Sequence, residues 1–584
     1  MKRLVCALLL AALLAAPALC QELSQKYLDC RITAEEDSIA IPDLCRIMSE
    51  ASGASILPDD DWRVKERRMT VFCHNAALPH VMYSIADVTR LMWKVKDENT
   101  YVLCYRPDTD KLISETLRKG EQAKVNAGRE MVDRMMSSRD DDLAALKKDK
   151  PALYLMKSTG AGDVIGRALK ASPNLLKSMA SGEKRTYTAS EVAPETLQEM
   201  QNLNSLILDI AGEVFASRNE RVPRFLTDTL ARPISSGNVE IEVNGDIPIG
   251  GNRRITADQI NSVCSGYAVV RTDGRITGVL PIINTDSSIA NSLAGLATDL
   301  LDNPGKPFEE VFANLDVGGM MQAIGKDLTS NNSVYKKDIP YDPAMMSFID
   351  LGTDPKNLPE ALKAFEKATG VPVFCDNFGS TDLSAELLRF LNINILRQGT
   401  VYDVLTSLCD AFNLNVELAN GQFDFSDIKW FEAIKATVSS DTISKWRKEY
   451  EATGFLSLET LLEMGRFSPG QLSFAFNSDP DLKPLAGDFV NNANVLEMLA
   501  ACDADAINAM MTEGGVKSGY LNKRAFNAYR SLYQTAGFSG RTACRIKLES
   551  SVTGGALVYT VEFIPDDGSG AKKVEFRIPS GKKQ

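Results

Sequence analysis

The chain has 584 residues, 44% of them hydrophobic and 24% charged, which is more than one hydrophobic core holds and calls for roughly three to five domains. A net charge of −12, with no strong Lys/Arg cluster, argues against a nucleic-acid-binding protein, because phosphate recognition needs a basic face. Beyond the amino terminus no stretch reaches the ~18 apolar residues that a membrane-spanning helix requires.

The amino terminus reads as a secretory signal over residues 1–20. Lys2 and Arg3 precede an apolar run over 4–15, and a small-residue exit over 16–20 leads to the polar Gln21 and Glu22. Cleavage after Ala18 or after Cys20 fits this pattern, and acylation of Cys20 is the lipoprotein alternative. The expectation is an exported chain, periplasmic or extracellular, with no transmembrane segment after cleavage. Eleven cysteines are spread along the chain without a CxxC pair, so neither a zinc ribbon nor a thioredoxin-like motif is indicated. Most lie in apolar patterns, where cysteine acts as a small buried hydrophobe, with one or two disulfides in the first module as the alternative.

Residues 30–106 form a first module. A strand over 30–40 leads into a helix over 42–52, with Pro42 in the first turn and Gly53 suited to the left-handed residue that ends it. A short strand over 54–57, a turn at Asp59–Asp61 and an alternating strand over 68–74 follow. A second helix starts at Leu78-Pro79, with Val81, Ile85, Val88 and Leu91 on one face. A hairpin across 97–99 closes a β-α-β-β-α-β-β unit. Next come a helical block over 110–232, a β-rich segment over 236–285 and a helical linker over 286–345. Within the block a long polar helix is expected over 112–136, a helix-break-helix over 164–182 and a further helix over 195–202. Strands are expected at 239–243, 267–270 and 275–283.

The same order then returns. Residues 41–53 (IPDLCRIMSEASG) match 358–370 (LPEALKAFEKATG) without a gap. A second module over 346–427 has strands at 346–351, 371–375 and 387–395 and a helix over 401–412. Its closing hairpin turns at Asn420-Gly421, a turn pair favoured between antiparallel strands. A second helical block follows over 428–536, with helix-break-helix at 496–514 and a helix at 523–532, and then a second β-rich segment over 540–580. The expected fold class is therefore α+β and multidomain: two small α/β sandwich modules, each followed by a helical block and a β-rich segment, from duplication of a whole cassette.

The module pattern resembles the secretin and TonB short N-terminal domain. The second copy carries the resemblance through Leu358-Pro359-Glu360-Ala361-Leu362, Thr369-Gly370 and residues 400–405 (TVYDVL). The first departs from it, with Cys45 and Met48 where Leu362 and Phe365 stand. The resemblance covers little more than a quarter of the chain and implies a periplasmic interaction module. Family members carry it on outer-membrane secretins or TonB-dependent receptors. This chain lacks the long series of amphipathic strands that such barrels need, so the modules here are detached from a pore.

Chemistry-bearing motifs are sparse. His74 and His80 are the two histidines, and both are expected in loops or at the surface. Residues 160–166 (GAGDVIG) imitate a dinucleotide turn but lack the flanking βαβ context, so a loop capping a helix is expected. Asp59–Asp61 and residues 140–142 lack the remaining calcium ligands. Ser181 and Lys184 make an SxxK without partner motifs. Trp62, Phe72, Trp93, Tyr101 and Tyr105 suit core packing better than a ligand groove. No catalytic, cofactor-binding or metal residue is assigned, and no cofactor. The expected function is a non-enzymatic exported protein that docks a protein partner at the cell envelope. The alternatives are a self-associating envelope subunit and an exported hydrolase.

Overall fold

A computed structural model describes residues 27–579, apart from 137–142, 235–237, 245–246, 251–252, 256–262, 307–309, 311–333, 341, 353–354, 356, 377–394, 536–542, 567 and 569. The signal segment expected over 1–20, the acidic run at 140–142 and nearly all of the strand expected at 387–395 lie outside the described residues. The chain is mixed α/β with several sheets and divides into two compact units. The first comprises residues 1–39, 43–57 and 69–428; the second comprises 40–42, 58–68 and 429–584.

The amino-terminal elements follow the expected order: β1 (Arg31–Ala40), α1 (Ile41–Ser52), β2 (Ser55–Pro58), β3 (Arg68–Ala77), α2 (Leu78–Thr89), β4 (Leu91–Asp97) and β5 (Thr100–Tyr105). Gly53 takes a φ of 73° after α1, and Arg90 ends α2 at a φ of 59°, which frees the chain to reverse into β4. The triple aspartate folds into a turn. Asp61 caps a one-turn helix, Trp62–Lys65, by accepting from the Arg63 backbone N–H at 2.9 Å.

A helical block follows, with α3 (Thr109–Met136), α4 (Ala161–Ala171), α5 (Pro173–Ser181), β6 (Arg185–Thr188) and α6 (Pro194–Ser217). It packs on a sheet built from β6, β7 (Val239–Val243), β10 (Cys264–Thr272) and β11 (Arg275–Ile283). A small hairpin, β8 (Ile247–Gly250) with β9 (Arg253–Ile255), lies between β7 and β10 in sequence. Buried Asn244 ties helix to sheet. Its amide donates to the carbonyls of Ser178, Met179 and Glu183, and its Oδ1 accepts from the Tyr267 N–H. The Ser178 and Met179 carbonyls also accept from the Glu183 and Gly182 N–H groups that close the helix. Helix α7 (Ser288–Asp302) follows the sheet.

The second module runs β12 (Phe348–Asp350), α8 (Leu358–Thr369), β13 (Val373–Asp376), β14 (Gln398–Thr400), α9 (Val401–Phe412), β15 (Leu414–Ala419) and β16 (Gln422–Asp427). Its pairing scheme matches that of the first. The first strand pairs the third, and the fifth lies between the second and the fourth: β1-β3 with β2-β5-β4, and β12-β14 with β13-β16-β15. Asn413 takes the left-handed position that Arg90 holds in the first module, and Asn420 and Gly421 both have positive φ in the hairpin turn.

One pairing was not legible in the sequence. Strand β3 runs antiparallel beside β13, with Val373 opposite Phe72, Phe374 opposite Val71, Cys375 opposite Thr70 and Asp376 opposite Met69. The two modules are thus not separate sandwiches but share a five-stranded sheet, β1-β3-β13-β16-β15. Helix α2 covers one face of it, against β13 and β16. Helices α8 and α9 cover the other, where Phe72, Val373, Cys375, Phe423 and Phe425 join their apolar side chains.

In the second unit, α10 (Ser440–Thr453), α11 (Ala493–Ala501), α12 (Ala504–Met510) and α13 (Lys523–Thr535) accompany a sheet ordered β17-β18-β19-β20. Those strands are Val516–Lys517, Cys544–Thr553, Ala556–Pro565 and Lys572–Pro579. The chain-early segment 58–68 is fastened here by Glu66, whose carboxylate accepts from the Ser440 N–H and hydroxyl at the start of α10. A carboxylate at a helix N-terminus satisfies an orphaned donor and complements the helix dipole. The β17-to-β20 order, a short strand followed by a meander, has the same form as β6-β7-β10-β11.

Phe365 on α8 lies at the centre of the second module, fully buried, with edge-on contacts to Phe423 at 5.2 Å and Phe425 at 6.4 Å. Phe365→Ala is expected to destabilise the first unit by about 3–5 kcal/mol, the usual cost of emptying a phenylalanine site. Urea unfolding followed by amide exchange in α8 and β16 measures it; a loss below about 1 kcal/mol would contradict this packing.

Candidate functional site

The chemically richest place is the β3·β13 junction, which carries one polar constellation on each face. On the α8 face His74 of β3 stands between two carboxylates. Its Nδ1 lies 2.8 Å from Glu366 Oε1, on α8, and its Nε2 lies 2.8 Å from Glu35 Oε1, on β1. Lys363, one helical turn before Glu366, reaches Glu35 Oε2 at 3.0 Å and lies 5.9 Å from the Phe72 ring centroid. Glu366 is 8% exposed in its side chain, whereas His74 is 52% exposed. The hydrogen bonds from Glu366 and then Glu35 raise the His74 pKa above its ordinary 6.5. Glu35 is lowered, first by Lys363 and then by His74.

On the α2 face the group is acidic. Asp424 of β16 is 3% exposed, beside Phe374 in the parallel register. The Ser84 hydroxyl on α2 is close by but directs its proton to Gln422 Oε1 at 2.8 Å. Both Asp424 carboxylate oxygens are left buried without a donor among the described residues. Burial pushes its pKa up to about 7, and Asp87 and Glu417 add to the rise while Ser84 and Arg90 oppose it. Asp87, on α2, is raised by burial and held back by Arg90 at 3.2 Å.

The two matched segments differ at this junction in an informative way. Ser49 in α1 occupies the position of Glu366 in the gapless match of 41–53 with 358–370. Ser49 Oγ donates to the Ile56 carbonyl and accepts from the Ile56 N–H, both at 3.0 Å, so it fills backbone groups of β2. In the second module Glu366 turns instead to His74, and Val373 of β13 pairs with Phe72. Unpaired edge groups invite another strand; the serine occupies them in one copy, and β3 occupies them in the other.

Neither histidine lies in a loop: His74 is in β3 and His80 in α2, where burial and then the charge of Arg31 lower its pKa. His74 matters through partners 39 and 292 residues away, which no local pattern reveals. Its nitrogens point to opposite sides, so the carboxylates do not converge on one point. Among the described residues no group of three His, Cys, Asp or Glu is arranged to hold a metal ion. The glycines at 160–166 answer a packing need. A Cβ on Gly162 would stand 2.6 Å from the Met135 carbonyl oxygen, and one on Gly166 would stand 2.2 Å from the Met136 sulfur, so α4 seats closely on the end of α3. Ser181 bonds the Ser178 carbonyl at 3.2 Å, in the turn that Gly182 closes. Phe72, Trp93 and Tyr101 are buried, and Trp93 donates to the Met82 carbonyl at 2.7 Å.

The nine cysteines among the described residues are thiols. Burial pushes the thiols of Cys45, Cys264 and Cys409 up to about 12 and that of Cys73 up to about 11, far from thiolate reactivity at neutral pH. Among the described residues no helix is long and apolar enough to cross a membrane. Comparisons with protein-family models, with curated proteins and with solved structures found no match to this chain.

With two histidines in the chain, both titrations are separable by NMR on 13C-histidine-labelled protein. One resonance is expected to titrate above 6.5 and the other below it. Glu35→Gln is expected to lower the upper midpoint and leave the lower one in place. Two midpoints near 6.5 would contradict the geometry at His74.

Proposed function

We propose that the chain is an exported, non-enzymatic binding protein whose two modules, related by duplication and resembling the secretin and TonB short N-terminal domain, engage a protein partner at the cell envelope. The observation that carries this reading is the β3·β13 pairing. Modules of this form join by adding strand to strand, and within this chain they do so in register over four residues. The shared pairing scheme of the two modules, and the like order of the two later sheets, supports duplication of the whole cassette.

The contact surface we assign to the partner is the small β12-β14 sheet of the second module. Phe348 is 71% exposed there, with Met346 and Leu396 exposed beside the two strands. Solvated aromatic and aliphatic side chains next to strand edges are the ordinary makings of an interface.

A photo-cross-linking residue at Phe348 tests the assignment, with the equally exposed Val552 of the second unit as control. In cells, position 348 is expected to yield one heterologous adduct in the envelope fraction that position 552 does not. Adducts between copies of the chain would favour self-association instead, and no adduct at 348 would end the assignment.

A further inference from the structure

The two constellations at the β3·β13 junction share a property: each is better satisfied with a bound proton. A carboxylate oxygen only accepts hydrogen bonds. His74 therefore satisfies Glu35 and Glu366 together only when both ring nitrogens carry hydrogen, that is, as imidazolium. Neutral imidazole keeps one N–H, so one carboxylate would face a lone pair. Lys363 would still serve Glu35, but the enclosed Glu366 would lose its charged partner.

Asp424 presents the complementary case. As an anion it would stand buried near Asp87 and Glu417, with the Ser84 hydroxyl and Arg90 favouring the charge and burial outweighing them. As a neutral acid it sheds both the cost of burying a charge and the repulsion from those two carboxylates. Both proton sites sit on strands of the five-stranded sheet, one on each face, across the line where one module meets the other.

We propose that this junction is a proton-dependent latch, closed while His74 is charged and Asp424 is neutral, and loosened when rising pH removes both protons. The latch is independent of the partner assigned above. The charged groups facing His74 are Glu35 from β1 and Glu366 from α8; Lys363 of α8 is paired with Glu35 and also feels Asp37 of β1. Those facing Asp424 are Asp87, Arg90 and the Tyr83 phenol from α2, and Glu417 from β15; Lys337 and Arg106 act on Asp87.

The signs agree. The raised His74 pKa contributes stability that is full below about 6.5 and is lost as pH rises through the higher folded value. Asp424 holds in the fold, up to about 7, a proton that the unfolded chain releases near 3.8. Its stabilisation is therefore lost between those two values and stays lost above. The two windows adjoin, so the junction weakens continuously from mildly acidic to mildly alkaline pH.

Hydrogen exchange on the full chain between pH 5 and 8, normalised to intrinsic rates, tests the latch. Protection of β3 and β13 is expected to fall at least about tenfold across that range, while β18 and β19 of the second unit keep theirs. Asp424→Asn, which keeps the shape without the charge, is expected to flatten the lower part of the slope and to raise protection at pH 8. Glu35→Gln, at a half-exposed position that folding tolerates, is expected to flatten the upper part. Protection of β3 and β13 that is constant with pH would overturn the proposal. So would an equal fall in β18 and β19, or wild-type slopes in both variants.

Discussion

Strand β3 beside strand β13 is the contact on which the first unit depends. By itself a two-strand ladder such as β1-β3 is marginal in water, and three or more strands with a covered face are needed for independent stability. Joining β3 to β13 turns ladders of two and three strands into one sheet of five. Backbone hydrogen bonds at the seam contribute only about 0.5–1.5 kcal/mol each, net of water. The apolar side chains that the seam buries weigh more: Val71, Phe72, Val373 and Phe374 are at most 1% exposed, and such burial contributes about 1.5–3 kcal/mol per side chain. The join is therefore held chiefly by packing, and the ladder sets its register.

That register has polar consequences. It sets β16 under α2, so the outward residues of β16, Gln422 and Asp424, are covered where they would otherwise meet water. It also brings His74 over α8, where Glu366 waits in a position that the first copy fills with serine. A buried carboxylate and a histidine between two acids are costly arrangements for stability alone. Apolar residues at these places would give a tighter and pH-indifferent seam. Their presence where the two modules share a ladder is what gives them functional interest.

Much of the local structure was legible in the sequence. Alternation located β3 and the hairpins, helical spacing located α2 and α9, and the Pro-to-Gly framing of α1 and α8 marked both ends of each helix. Asn420-Gly421 named its own turn, since few residue pairs accept two positive φ angles in succession. The helix-break-helix segments of both later blocks, and the strands after them, also follow from local pattern. These are features for which a residue's neighbours in the chain are also its neighbours in space.

The seam and its proton sites are of another kind. Alternation says which face of a strand is apolar, but not which strand will lie along its edge, because edge groups are the same backbone N–H and C=O in every residue. His74 and Glu366 are 292 residues apart, and Ser84 and Gln422 are 338 apart. Nothing in either neighbourhood refers to the other. The sequence by itself determined the elements and their order, because short-range sterics and burial periodicity act within a few residues. Only the tertiary structure decided that the repeats share a sheet, and that two ionisable groups are held at its seam, because those depend on which surfaces meet.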